Sequence, residues 1–391
     1  MDGPALGILL HMIGGLAAAS FYIPYGRVKN WSWETYWLVG GVFSWIVAPW
    51  VLALIITPDL FGVLHEAWNT SRAAFVWAYL FGAMWGVGGL TFGLTMRYLG
   101  ISLGMAIALG YCAVVGTLLP PIVKGEFAAI VTSVSGIVIL VGVAVCVGGI
   151  AVTGLAGIAK ERELDDDEKK QTVKEFNFWK GLLTATFSGV MSAGMAFGIA
   201  AGRPIAELAV GRGTPELLGN LPILCVVLAG GFTSNFLWCA ALNVKNRSAR
   251  EYLDFAQPRR WLANLCFSAV AGVTWYMQFF FYGMGETKIG EYRFSSWTLH
   301  MASIILFSTC WGIALHEWRG SSRRTFRLLA AGLAALVLSM VVVGYGNKLA
   351  ADAPPTASPS SSYKDAESQS HALTPSATDS LTASRPSRAS R

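Results

Sequence analysis

From Ala5 to about Tyr345 the chain is built of apolar runs about 20 residues long, separated by short polar breaks. A helix rising 1.5 Å per residue needs about that length to cross a hydrocarbon core of roughly 30 Å. The runs predict ten membrane spans, at 5–25, 33–57, 73–96, 101–123, 129–157, 180–201, 217–243, 261–285, 294–316 and 326–345. The expected fold class is an all-α membrane protein with ten transmembrane helices, which leaves no room for a separate soluble catalytic domain. Ala17-Ala18-Ala19 follows the first run as in a signal peptide, but no Lys or Arg precedes it and many longer spans follow. A retained first helix is the expectation.

Composition agrees with a lipid environment. Only 13% of the residues are charged and 54% are apolar, whereas a soluble domain carries nearer a quarter charged residues. The mean hydropathy is +0.51. Cys112, Cys146, Cys225, Cys239, Cys266 and Cys310 all fall in apolar runs, without a CxxC pair and without the His, Asp or Glu neighbours of a metal site. They are expected to be buried small apolar side chains, and no metal or cofactor is expected.

Charge sets the expected orientation. The loops after the odd-numbered spans hold 18 Lys and Arg residues and the alternate loops hold six, so the positive-inside rule puts both termini outside the cytoplasm. The charged segment 158–179 reads as a cytoplasmic linker between a first half, 1–157, and a second half, 180–348. Residues 349–391 are rich in Ser, Pro and Thr and are expected to be disordered. Trp85, Gly93 and Gly100 recur 190 residues later as Trp275, Gly283 and Gly290. Two halves of five helices each would run in opposite directions, giving two inverted five-helix repeats of the kind found in secondary transporters.

No Walker A, Rossmann, HExxH or GxSxG pattern occurs, which argues against an ATP-driven pump and against an enzyme. No filter-like repeat suggests a channel. A gradient-driven carrier remains, with no nucleic-acid partner expected. Titratable groups are scarce in the spans, where each costs on the order of a few kcal/mol unless paired or wet. His11 and His300 are interior, Glu34 and Arg97 sit at cytoplasmic span ends, and no Asp or Glu falls in the interior. As proton carriers they rank His300 first, because it lies beside the aromatic helix 275–282 and an imidazole titrates near neutrality, then Glu34, then His11. Each histidine can instead be a hydrogen-bonded core residue.

The string Trp275-Tyr-Met-Gln-Phe-Phe-Phe-Tyr282 embeds Gln278 among aromatic faces. Rings stack on the C–H faces of sugars while amides bond their hydroxyls, so the mix suits a neutral polyol, although aromatic stripes also serve as packing or interfacial belts. The pairs Gly82/Gly86, Gly89/Gly93 and Gly194/Gly198 have the spacing of close helix packing.

Five strings carry a family resemblance: Phe21-Tyr-Ile-Pro-Tyr-Gly-Arg-Val-Lys-Asn-Trp-Ser-Trp-Glu-Thr-Tyr-Trp37, Phe81-Gly-Ala-Met-Trp-Gly86, Gly93-Leu-Thr-Met-Arg-Tyr-Leu-Gly100, the Trp275–Tyr282 string and Ser296-Trp-Thr-Leu-His-Met301. In these the chain, from about residue 7 to 345, resembles the bacterial L-rhamnose–proton symporters of the drug/metabolite transporter superfamily. The resemblance implies a ten-helix inverted repeat in the bacterial inner membrane that imports L-rhamnose, or a closely related deoxysugar, with a proton. It implies a site near the midplane lined by spans one, three, eight and nine, with Tyr22, Trp85, Trp275, Tyr276, Gln278 and Tyr282 on the sugar and Arg97 as a gating charge. The chain departs from the family pattern at Gly88-Gly-Leu-Thr-Phe92, where Asn and Tyr are expected, and in its tail. An exporter or exchanger of the same fold, or a sugar sensor that binds without transport, are the alternatives.

Overall fold

The computed structural model describes residues 3–99, 101–163 and 177–352, with the side chains of residues 96–97, 101–103, 105–106 and 291 outside that description. Among the described residues every regular element is helical. Nine helical segments are long and apolar enough to cross a membrane: Gly3–Tyr25, Trp33–Ile56, Arg72–Thr95, Val134–Glu163, Phe178–Gly211, Glu216–Asn246, Pro258–Lys288, Ser295–Ala314 and Arg323–Asp352. The helix Ile101–Val123 occupies the place of span four, and its described apolar part, Ile107–Val123, is shorter. Large apolar side chains point outward along these helices, such as Ile55 at 74% exposed and Val341 at 62%. Lipid tolerates such a surface and water does not.

Several boundaries differ from the sequence reading. Span five runs on to Glu163, so 158–163 is helix rather than linker, and residues 164–176 of that linker lie outside the described residues. Span ten runs on to Asp352, four residues into the predicted tail, whose remainder also lies outside the described residues. A further helix, Leu60–Thr70, follows span two; Asp59 caps it by accepting from the Gly62 amide at 3.1 Å. Cys266 and Cys310 are exposed on the apolar surface, contrary to the expected burial of all six cysteines.

Prolines and glycines break three spans. Span one stops at Ser20 and resumes as Tyr22–Tyr25, which contains Pro24. Span six is interrupted at Ala193, between Phe178–Ser192 and Gly194–Ala201, and again before Arg203–Gly211, whose second residue is Pro204. Span two contains a π-helical stretch, Val42–Val47, ahead of Pro49. Proline has no N–H to offer the carbonyl four residues back, and the wider π turn absorbs the mismatch.

Packing follows the same plan in both halves. Span three packs against spans six and seven, and span eight packs against spans one and two; span four packs on span six, and span nine packs on span one. Glycines set these distances. A Cβ at Gly82 would collide with the Val227 carbonyl, and one at Gly230 would collide with the Tyr79 carbonyl, so spans three and seven meet backbone to backbone. A Cβ at Gly272 would collide with the Gly40 carbonyl, which joins spans eight and two in the same way. Gly82 and Gly272 are 190 positions apart, and so are Gly40 and Gly230. Of the three predicted packing pairs, Gly82/Gly86 and Gly194/Gly198 make close contacts, whereas Gly89 and Gly93 meet nothing within 4 Å. Those two glycines therefore leave space rather than hold helices.

Gly82→Leu or Gly272→Leu is expected to destabilise the fold by about 1–3 kcal/mol or more through overpacking. Gly148→Ala, where an added Cβ meets nothing within 4 Å, should match or slightly exceed the parent because Ala favours helix. Thermal shift and size-exclusion profiles of the purified variants in detergent check both expectations.

Candidate substrate cavity and its polar floor

The breaks in spans one and two and the small residues of span three leave a cavity of about 760 Å³ between the two halves of the chain. That lies within the ordinary range of ligand sites, roughly 300–1,000 Å³. Trp45, Trp85, Trp275 and Phe279 wall it, Gln278 and Asn235 supply amides, and Arg27 and Glu317 stand at the ends of spans one and nine. Trp85 and Trp275 meet with ring centroids 5.3 Å apart, and Trp275 meets Trp45 edge-on at 5.5 Å. The Asn235 Oδ1 accepts from the Trp37 indole N–H at 3.1 Å and its Nδ2 donates to the Gly231 carbonyl at 2.9 Å, so the amide is fixed in orientation. Gly89 and Phe92, from the string that departs from the family pattern, also line the space.

Of the six predicted sugar contacts, four line this cavity: Tyr22, Trp85, Trp275 and Gln278. Two do not. Tyr276 is fully buried and packs near Phe280 on the far side of its helix, so it belongs to the core rather than to the cavity. Tyr282 lines a second, smaller cavity of about 330 Å³ that reaches toward Lys124, Arg203 and Arg293. The helical period explains Tyr276, which points away from the face shared by 275, 278 and 279. Tyr282 is on that same face but a turn further along the helix, where it borders the second cavity. Trp297 borders both cavities, and its indole N–H donates to the Cys112 carbonyl at 3.1 Å.

The predicted proton carriers are spread over two places. His11 and His300 are fully buried with ring centroids 6.3 Å apart. The Tyr282 ring lies 5.3 Å from His11 and 5.2 Å from His300. None of the four imidazole nitrogens meets hydrogen-bond geometry with a partner among the described residues, an arrangement that costs free energy in a dry interior. Neither histidine lines either cavity; they form, with Tyr282 and Trp297, the layer between them. Glu34 lies elsewhere. It is buried at the start of span two, where its Oε1 accepts from Asn246 at 2.9 Å and from Ser248 at 2.6 Å. The side chain of Arg97 lies outside the described residues.

The expectation that no carboxylate occupies the interior is corrected by Glu286. The sequence reading ended span eight at 285, but the helix continues to Lys288 and Glu286 is only 6% exposed. Its Oε2 accepts from the Asn220 amide at 2.9 Å, and Arg203 and Arg293 approach to 3.6 and 3.7 Å. Asn220 also donates to the Gly283 carbonyl at 3.0 Å, which ties the start of span seven to span eight. The signal available in the sequence was Glu286 itself, adjoining an apolar run with no helix breaker between Gly285 and Lys288.

The helical bundle and its central aromatic cavity define a multi-pass membrane carrier. The chain belongs to the L-rhamnose-proton symport protein (RhaT) family, whose sequence model matches residues 2–350. It is similar to the L-rhamnose-proton symporter of Cronobacter sakazakii, 40% identical over 344 residues, which is 87% of this chain and 97% of that protein. The symporter of Klebsiella pneumoniae strain 342 is likewise 40% identical over 344 residues, and that of Citrobacter koseri is 38% identical over 343. The family is one of transporters and not of enzymes.

In a background without native cysteines, Gly89→Cys is expected to react with a water-soluble maleimide about tenfold or more faster than Tyr276→Cys, since thiol reactivity follows access. Mass spectrometry of the labelled protein reads the ratio. Equal rates would return Tyr276 to the cavity wall.

Proposed function

We propose that this chain imports L-rhamnose together with a proton across the bacterial inner membrane. The relatives above carry that name. The observation in this chain that carries the reading is the cavity between the halves, with flat indole faces from Trp85 and Trp275 beside the amides of Gln278 and Asn235. A deoxysugar presents apolar C–H faces and a methyl group to rings, and hydroxyl edges to amides, and this wall offers both. Gly89, where a Cβ would stand in open space, leaves room on the span-three wall for a bulky ring or a substituent.

The fold proposed is two inverted five-helix repeats, 1–157 and 180–348. Its support is the 190-residue offset: Trp85/Trp275 and Gly89/Phe279 are paired positions that both line the cavity, and the glycine contacts of Gly82 and Gly272 repeat the same offset. Such repeats let one half rock against the other about a central site. The basic-loop bias supports external termini and a cytoplasmic 158–179 linker, so the large cavity, with Arg27 at its rim, would open to the cytoplasm. The proton's route is assigned to His300 and His11, with His300 first because its ring also lies near Phe279 of the cavity wall. Glu34 is left with a bracing role, since both of its neighbours hold its charge at the surface end of span two.

Purified protein in liposomes with an imposed pH gradient, offered a panel of labelled sugars, tests the whole reading. Accumulation of L-rhamnose or a related deoxysugar is expected, and binding without exchange would favour a sensor. Gln278→Ala should raise the apparent Km for L-rhamnose several-fold, as one or two hydrogen bonds of about 1 kcal/mol each are lost. His300→Gln should keep counterflow, which needs only binding and alternation, while losing uphill accumulation. Uphill uptake at the parent level in His300→Gln would remove the histidine pair from the proton route.

A further inference from the structure

Glu286 stands at the floor of the smaller cavity, on the opposite side of the Tyr282–Trp297 layer from the sugar site. Three separate elements converge on it. Arg203 comes from the second break of span six, Arg293 from the turn before span nine, and Asn220 from the start of span seven. The arginine side chains are 40% and 35% exposed, whereas the carboxylate is 8% exposed. The arginines are therefore free to leave toward water and the acid is not. Lys124 and Glu126, from the turn between spans four and five, line the same cavity, and Glu126 offers departing arginines another partner.

On the inner side, Tyr282 lies one helical turn before Glu286 on the same face, and its ring touches both histidines. His11 also packs against this turn: a Cβ added at Gly285 would stand 3.0 Å from its imidazole. Phe279, which carries no exchangeable proton, lies between His300 and the large cavity. The titratable groups thus run from the smaller cavity to His300, one aromatic ring short of the larger one.

Opposite charges beside a carboxylate favour its ionised form, and burial without them favours the neutral acid. A carboxylate whose partners come and go with a gate therefore binds and releases a proton as the gate moves. We propose that Glu286 is the proton-loading acid of this transporter. When span six and the turn before span nine draw Arg203 and Arg293 away, Glu286 takes a proton from water in the smaller cavity. When the two arginines close on it, as here, the proton passes to the imidazole nitrogens of the histidine pair, which are unpartnered among the described residues, and it leaves through the large cavity once the Phe279 ring moves aside. One proton enters and one leaves per cycle at this residue. The assignment rests on the rhamnose–proton symport proposed above and adds the residue that senses the gate.

The test uses the full-length protein in liposomes with labelled L-rhamnose, comparing the parent with Glu286→Gln. Gln keeps the shape and the Asn220 contact and imitates the protonated acid. The expected result is parent-level counterflow within about twofold, no pH-gradient-driven accumulation and no rhamnose-induced proton uptake. Accumulation and proton uptake by Glu286→Gln at parent levels would overturn the assignment alone, whereas a parent that never accumulates sugar on a pH gradient would overturn the symport reading and the assignment with it. Loss of counterflow in folded Glu286→Gln would also overturn it, because a mimic of the neutral acid should still cycle. Should Glu286→Gln fail to fold, the double variant Arg203→Gln, Arg293→Gln carries the test. The double variant lacks the counter-charges that close on the acid, so it should keep counterflow and lose pH-gradient-driven accumulation. Accumulation at the parent level in the double variant overturns the proposal.

Discussion

Two helices can touch backbone to backbone only where no side chain stands between them, and among the places where this chain uses that contact, two lie on opposite sides of its centre. Gly82 and Gly230 bring span three onto span seven, and Gly40 and Gly272 bring span two onto span eight. In lipid there is no hydrophobic force between helices, so close packing and the hydrogen bonds it permits must hold them. The two contacts fix where Trp85 and Trp275 meet on the cavity wall, with ring centroids 5.3 Å apart. A larger residue at any of the four positions would widen that separation before it altered anything chemical. The shape of the cavity is in this sense a product of missing side chains.

The polar groups inside the bundle divide by what satisfies them. Glu34, Asn235 and Glu286 have explicit partners, so their orientations are determined. His11 and His300 have none that meets hydrogen-bond geometry among the described residues, yet they are as buried as any residue described. A fold that bears such a cost at two adjacent positions is usually using the groups rather than merely housing them. Tyr282, held between the two rings, makes the pair part of a single layer with Trp297 instead of two separate defects.

Much of this was legible in the chain because bilayer thickness imposes one length on every span. The apolar runs gave helix positions to within a few residues over most of the protein. Where the reading failed, polar residues were holding a helix that hydropathy alone would end. Glu286 was counted as loop because charge lowers hydropathy, although three partners from distant parts of the chain hold it inside. Tyr276 was assigned to the site because a run of aromatics gives no phase by itself; only packing decides which face turns to the cavity. Gly89 and Gly93 matched a packing spacing, yet spacing cannot tell a glycine that touches a neighbour from one that clears room. Trp85 and Gln278, read as site residues from the same strings, do line the cavity.

The wall between the two cavities is about one aromatic layer thick at Trp297, which borders both. Filled with water and joined to the solutions on either side, each cavity would stand close to the potential of its own solution. The electrical gradient of the membrane would then not be spread over the roughly 30 Å of hydrocarbon but concentrated on Tyr282, Trp297 and the two histidines. A charge moved through that layer would gain most of the roughly 2.3 kcal/mol that each 100 mV supplies. A voltage across a whole bilayer would in this way become a strong local field on a handful of side chains.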